Sequence, residues 1–189
     1  MKTTAEFTHE NYHKSHKAIL DMVYTAMFAA AICVCSTLLS VDIGKVPVTM
    51  QTFAICLTAA MLGWKRGTMS VIVFILLGAI GLPVFANGSG GLEVLAGSTG
   101  GYIIGFIFTA LIVGTVADKF DRKLVPLVIS MAVGILVCYV FGTPWFMFVT
   151  KLDFVTSLGY CVTPFLIFDA IKIVLATVIV NRLSKVIRL

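Results

Sequence analysis

Long apolar stretches separated by short polar connections dominate the hydropathy pattern of this chain. A transmembrane helix needs about 20 mainly apolar residues, and six segments are candidates. They lie at about 18–40, 50–62, 67–80, 100–117, 124–141 and 164–187. The second and third are short, so we expect loops to support them at membrane depth, where irregular backbone needs surrounding protein or a cavity. The pattern predicts an all-α integral membrane protein, a compact six-transmembrane-helix bundle.

The composition is that of a membrane protein rather than a soluble domain. Of the 189 residues, 59% are hydrophobic and 12% are charged, and the mean hydropathy is +1.04. Five cysteines lie within or beside apolar segments without a CxxC pair, so we interpret them as small buried hydrophobes and predict no metal site. They are Cys33, Cys35, Cys56, Cys138 and Cys161.

The first 17 residues are polar and do not resemble a cleavable signal peptide, because the apolar run starts only at Ala18 and has full span length. His9 and His13 are four residues apart and can bind a metal in principle, but we interpret the segment as a solvated amphipathic lead-in. The chain therefore divides into a polar N-terminal segment, 1–17, and a six-helix membrane domain, 18–189.

The basic residues predict how the chain is oriented in the membrane. With six spans, eleven of the fourteen fall on one side, Lys45 and Lys151 fall on the other, and Lys172 lies within a span. The eleven are Lys2, Lys14, Lys17, Lys65, Arg66, Lys119, Arg122, Lys123, Arg182, Lys185 and Arg188. The positive-inside rule then places both termini in the cytoplasm. Small basic groups between apolar segments also argue against nucleic-acid binding, despite the net charge of +5.

Three long connections fall on the predicted outer side, at 41–49, 81–99 and 142–163, and long ordered loops often carry function. The second is rich in glycines, up to Gly101, which let backbone groups approach a ligand, and Asn87, Glu93 and Tyr102 add polar groups. The alternative is a flexible loop with close helix packing. After the first connection, Gln51 can reach a ligand amide, or the segment is simply a helix start.

Asp169 and Lys172 are the strongest functional signal in the sequence. They lie three residues apart in an otherwise apolar segment, so both project from one helix face. A charge near the bilayer centre costs about 2.5–3.5 kcal/mol on insertion scales. We interpret the pair as a ligand site for a small molecule, in which Lys172 meets an anionic group and Asp169 accepts N–H donors. A structural ion pair is the alternative.

Ala26 and Ala30, four residues apart in the first segment, form a flat strip that fits either internal helix packing or a partner protein. The sequence carries no nucleotide-binding motif and no GxSxG motif, so we predict a protein that is not an enzyme and needs no cofactor. A substrate-capture subunit of an ATP-driven importer and a self-sufficient secondary transporter of a small anionic molecule both fit these features.

Four stretches together resemble the BioY family, the biotin-specific S components of energy-coupling factor (ECF) vitamin transporters. They are 46–53 (VPVTMQTF), 81–86 (GLPVFA), 97–102 (GSTGGY) followed by Gly105 and Phe106, and 164–165 (PF) followed by Asp169 and Lys172. Ser98 stands where we expect proline in this family. The resemblance extends from Ala18 to the C-terminus.

The resemblance implies a six-helix protein of the bacterial plasma membrane that captures biotin from outside. It implies three kinds of partner besides the lipid bilayer: biotin, a transmembrane coupling subunit and two ABC-type ATPase subunits. The strip of Ala26 and Ala30 resembles the docking motif on the first helix of S components. Biotin is then the transported ligand and not a cofactor.

Biotin matches the candidate residues chemically. Its ureido ring carries two N–H donors and a carbonyl, which suit Asp169, Asn87 and Gln51, and its carboxylate suits Lys172. Its apolar bicycle and chain can pack on Phe85, Tyr102 and the loop glycines. The predicted substrate-binding residues are Asp169, Lys172, Asn87, Tyr102, Gln51, Glu93, Gly101 and Phe85.

Overall fold

The computed structural model describes the backbone of residues 4–42 and 46–186 and the side chains of residues 15–40 and 46–184. The side chains of His9, His13 and Lys45 lie outside the described residues. The helices are α1 (Thr4–Leu38), α2 (Gln51–Ala79), α3 (Leu92–Ala96), α4 (Gly100–Lys119), α5 (Leu124–Thr150), α6 (Phe154–Cys161) and α7 (Thr163–Val186). The strands β1 (Ser40–Asp42) and β2 (Pro47–Thr49) pair antiparallel in the first connection, with Ser40 opposite Thr49.

Helix α2 folds back on itself at Gly63, whose φ of 76° lies in the left-handed region that favours glycine. Gly67 packs directly on the backbone of Ala59, although eight residues of straight helix would separate them by about 12 Å. The two halves, 51–62 and 64–79, correspond to the second and third predicted segments. Each is short because it ends at this turn.

Side chains from the last turn of α4 and from the connection that follows it hold the turn at Gly63. Arg122 donates from Nε and Nη2 to the carbonyl groups of residues 60 and 61, each at 3.0 Å. Asp118 Oδ2 accepts a hydrogen bond of 3.0 Å from the backbone N–H of Trp64. A cation therefore lies at the carboxyl end of one half of α2 and an anion at the amino end of the other. Both satisfy unpaired backbone groups and complement the helix dipoles.

Helix α4 packs between α2 and α5, and small residues permit the close approach. Gly105 of α4 lies on the backbone of Cys138 in α5, where any larger residue would collide. One helical turn further along α4, the Thr109 hydroxyl donates to the carbonyl of Gly134 at 2.8 Å. Glycine and threonine at helix crossings are typical of membrane bundles, which lack a hydrophobic driving force between helices.

Five helical stretches in the described part of the chain are long and apolar enough to cross a membrane. They are Ser15–Leu38, Gln51–Ala79, Gly100–Lys119, Leu124–Thr150 and Phe154–Ser184. An all-helical, multi-pass membrane protein is therefore confirmed. The count differs from six because the second and third predicted segments form one helix with a break at Gly63. The cytoplasmic position of the termini remains a prediction.

Three boundaries differ from the sequence-based expectation. Helix α1 already begins at Thr4, within the polar segment 1–17. Helix α5 continues past the predicted end near residue 141, through Pro144, to Thr150. The third connection, which the apolar pattern predicted as a loop at 142–163, contains the short helix α6.

Candidate functional site

A cavity of about 290 Å³ lies where the three predicted outer connections meet the helix bundle. The first connection contributes Val46, Pro47 and Thr49, the second contributes residues 85–87, 89, 94, 98 and 99, and the third contributes Cys161. Residues of α2, α4, α5 and α7 complete the wall. All three long connections therefore border one cavity.

Asp169 and Lys172 line this cavity from α7, and each is only 5% exposed. Lys172 Nζ donates to Asp169 Oδ1 at 3.0 Å, as their spacing of one helical turn allows. Two opposite charges at this distance offset part of the cost of removing each from water. The pair therefore places a polar, overall neutral unit in an otherwise mainly apolar wall.

Two hydroxyl groups that sequence reasoning missed complete this polar unit. Thr52 of α2 donates to Asp169 Oδ1 and accepts from Lys172 Nζ, both at 3.2 Å. The Tyr139 hydroxyl of α5 donates to Asp169 Oδ2. The only sequence signal for Thr52 was its position directly after Gln51. Tyr139 had no such signal, because it is one aromatic residue in the apolar sequence of α5.

Counting donors and acceptors shows what the unit can offer a ligand. A carboxylate accepts about four hydrogen bonds and an ammonium donates three. Within the described part of the chain, Asp169 accepts three and Lys172 donates two. One acceptor and one donor remain, close together. This combination fits a ligand group that presents an N–H beside a carbonyl oxygen.

Gln51 lines the cavity, but neighbouring side chains engage its amide group. Its Nε2 donates to Ser36 Oγ at 2.5 Å, and its Oε1 accepts from Thr49 Oγ1 at 3.2 Å. Its backbone N–H also donates to Thr49 Oγ1, at 3.3 Å. With an exposure of 8%, Gln51 is placed to shape the wall between the first connection and α2.

Phe85, Asn87 and Tyr102, three of the predicted substrate-binding residues, also line the cavity. Phe85 is almost fully buried and packs edge-on against Phe74, with ring centroids 5.4 Å apart. Asn87 has a φ of 57° and accepts a hydrogen bond of 2.5 Å from Ser40 Oγ, which joins the first and second connections. These residues supply aromatic surface and one amide to the site.

Glu93 and Gly101 do not line the cavity. Glu93 is exposed in the first turn of α3. Gly101 is buried against Trp145 of α5, where a side chain would overlap the indole. Its glycine therefore serves helix packing, which was the alternative interpretation of the glycine-rich connection. Their predicted contact with substrate has no support from this geometry.

Helix α6 lies in the third connection, and a side chain caps its first turn. Asp153 accepts a hydrogen bond of 3.0 Å from the backbone N–H of Thr156. This bond lowers the pKa of the Asp153 carboxyl below its ordinary value, because it favours the ionised form. The cap fixes where α6 begins, and its last residue, Cys161, lines the cavity.

Ala26 and Ala30 do not line the cavity, and both are exposed on the surface of α1. The adjacent face of α1, with Ala29 and Ile32, is buried in the bundle. Both alanines are exposed, but Ala26 also borders Met69 and Val73 of α2, so docking of a partner on the strip stays a prediction. The strip is available to another protein or to lipid.

Comparison with known proteins places the chain among transporters. A family model described as "BioY family" matches residues 4–189. A protein of Thermotoga maritima named biotin transporter BioY is 40% identical over 166 residues, covering 87% of this chain and 96% of that protein. Biotin transporter BioY2 of Lactococcus lactis is 36% identical, covering 85% and 87%. The crystal structure of an S-component for biotin from an ECF-type ABC transporter matches with a TM-score of 0.83 and 32% identity, covering 90% of this chain and 93% of that one.

Proposed function

Because the chain belongs to the BioY family, whose members are transporters and not enzymes, we propose that it takes up biotin across a bacterial plasma membrane. In this proposal it captures biotin from outside, in the cavity beside Asp169 and Lys172. It then works as the S subunit of an ATP-driven ECF importer, with a transmembrane coupling subunit and two ABC-type ATPase subunits.

The observation that carries the proposal is the buried polar unit of Asp169, Lys172, Thr52 and Tyr139 in a largely apolar cavity. The unit offers one acceptor beside one donor. A cyclic urea presents an N–H beside a carbonyl oxygen, so the ureido ring of biotin fits it. Small ligands bind tightly when a few such polar groups are fixed in advance and apolar walls cover the rest.

The same geometry supports one orientation of biotin in the cavity. The ureido ring and the carboxylate lie at opposite ends of biotin, so both cannot reach a pair of groups only 3.0 Å apart. We therefore assign the ureido ring, not the carboxylate, to Lys172 as well as to Asp169. The carboxylate is assigned to the hydroxyl groups of Ser98 and Thr99, which line the cavity at the positive end of the α4 dipole.

Titration calorimetry of the detergent-purified full chain with biotin tests the proposal, with thiamine and riboflavin as controls. Tight, saturable binding of biotin alone is expected. A folded protein that binds none of the three would return Asp169 and Lys172 to the role of a structural ion pair. Biotin methyl ester tests the orientation: it should keep measurable binding, because the ureido contacts remain.

The energy source is tested separately from binding. Liposomes with this protein alone should take up no biotin, whereas liposomes that also contain the coupling and ATPase subunits should accumulate it when ATP is supplied. Uptake by the protein alone, driven by an ion gradient, would contradict the importer and favour a secondary transporter.

A further inference from the structure

We propose that Ser36 of α1 is a positioning residue for the ligand cavity and acts through Gln51. The inference rests on the proposed biotin site, because its effect is measured as biotin affinity. No described residue of α1 lines the cavity, so the helix has no direct contact with a ligand there. A residue of α1 can therefore affect ligand binding only through a second residue that lines the cavity.

Ser36 is set apart from the other residues on the buried face of α1. That face contains Ala29 and Ile32, which are apolar, whereas Ser36 has a hydroxyl and is 0% exposed. A buried hydroxyl needs a partner, since leaving it without one costs free energy. Its partner across the helix contact is the Gln51 amide, at 2.5 Å.

Gln51 is held from two sides and therefore has one orientation. The Ser36 hydroxyl accepts a hydrogen bond from the amide N–H of Gln51, and the Thr49 hydroxyl donates to the amide oxygen of Gln51. Thr49 also accepts the backbone N–H of Gln51, one of the groups at a helix start that has no partner within the helix. The three residues tie α1, β2 and the start of α2 together.

The residue after Gln51 makes this network relevant to the ligand. Thr52 bridges Asp169 and Lys172 by two hydrogen bonds of 3.2 Å. Bonds of this length weaken when the donor and acceptor separate further. If Gln51 loses Ser36, the start of α2 gains freedom, and Thr52 no longer holds the donor and acceptor of the polar unit in one geometry.

The test is a double-mutant cycle on the full chain in detergent, read by titration calorimetry with biotin. Ser36→Ala should weaken biotin binding roughly five- to tenfold, the scale of one lost buried hydrogen bond. In a Gln51→Leu background the same substitution should have less than a twofold effect, because the intermediary is already gone. A role in general stability would weaken binding equally in both backgrounds.

Thr37→Ala is the matched control. Its hydroxyl lies on the same helix, one residue further on, and bonds only to carbonyl groups of its own helix, at 3.0 and 3.4 Å. Its biotin affinity should stay within twofold of the unmodified protein. If Ser36→Ala does not yield folded protein, Ser36→Cys, which keeps a weak hydrogen-bonding group of similar size, replaces it in the cycle.

The outcomes separate this inference from the proposed function. An unmodified protein that does not bind biotin overturns both. An unmodified protein that binds, with Ser36→Ala within twofold of it, overturns the positioning role alone. Equal weakening in the two backgrounds overturns the role of Gln51 as intermediary. Weakening confined to the background that retains Gln51 supports the inference.

Discussion

At the scale of single residues, Asp169 and Lys172 are held in an apolar bundle by each other and by two hydroxyl groups. Removing one partner of a buried ion pair leaves an uncompensated charge, whereas replacing both by apolar residues of similar volume is often neutral. A structural pair and a ligand site therefore respond differently to a double replacement. That difference gives the sharpest test of the site.

Asp169→Asn and Lys172→Ala should each weaken biotin binding at least tenfold, about 1.4 kcal/mol or more, because each removes one side of the donor and acceptor pair. The double variant Asp169→Leu/Lys172→Met should fold and bind no biotin. Titration calorimetry measures affinity, and size-exclusion chromatography checks folding. Unchanged affinity in both single variants would contradict the assigned site.

Sequence reasoning located part of this site for identifiable physical reasons. Charges in an apolar segment are costly, so Asp169 and Lys172 stood out without any structure. Thr52 and Tyr139 did not, because a hydroxyl in a membrane helix commonly bonds to its own helix, as Thr109 does to the carbonyl of residue 105. Only the crossing of α2, α5 and α7 brings them to Asp169.

At the scale of secondary-structure elements, the turn within α2 shows what hydropathy can and cannot predict. The basic residues Lys65 and Arg66 correctly separated two short apolar segments. The local pattern did not identify Asp118 and Arg122 as the groups that hold the turn, because the end of α4 and the connection after it lie more than 50 residues away. The hydropathy pattern predicts local structure, but it does not predict which distant side chains cap a helix end.

Arg122→Ala should destabilise the protein by roughly 1–2 kcal/mol, because two carbonyl groups lose a cationic donor at a helix end. Lys123→Ala is the matched control: its side chain is exposed at the adjacent position of the same connection. Thermal unfolding in detergent compares the two. Equal midpoints would show that Arg122 does not stabilise the turn.

Asp153 gives α6 a stability that depends on pH. Its pKa is lower in the folded protein, because the ionised carboxylate accepts the N–H of Thr156. The contribution is therefore present at neutral pH and is lost as the pH falls below about 4, where the carboxyl becomes protonated. The thermal midpoint of Asp153→Asn should lie below that of the unmodified protein at pH 7 and approach it near pH 3. A gap that persists at pH 3 would contradict this origin.

At the scale of the whole molecule, the exposed strip of Ala26 and Ala30 lies on α1, on a face next to that of the residues that pack in the bundle. Small residues let a second helix approach closely. Under the proposed function, the coupling subunit docks there. The ligand cavity and the docking strip then occupy separate surfaces of one molecule.

Ala30→Trp should weaken co-purification with the coupling subunit at least fivefold, because the indole fills the space that a partner helix needs. Biotin affinity should stay within twofold, since the residue does not line the cavity. Ala31→Trp is the matched control, an exposed alanine of the same helix outside the strip. Equal loss of the complex in both variants would contradict a specific docking role for Ala30.

The hydrogen bond between Ser40 and Asn87 has a consequence for the timing of ligand exchange. It joins the first connection to Asn87, which lines the cavity, so the bond must break if a ligand enters or leaves between the two connections. A contact broken only during passage raises the barrier equally in both directions. It therefore lengthens the residence time of a bound molecule and slows its capture by the same factor, while the equilibrium affinity stays unchanged.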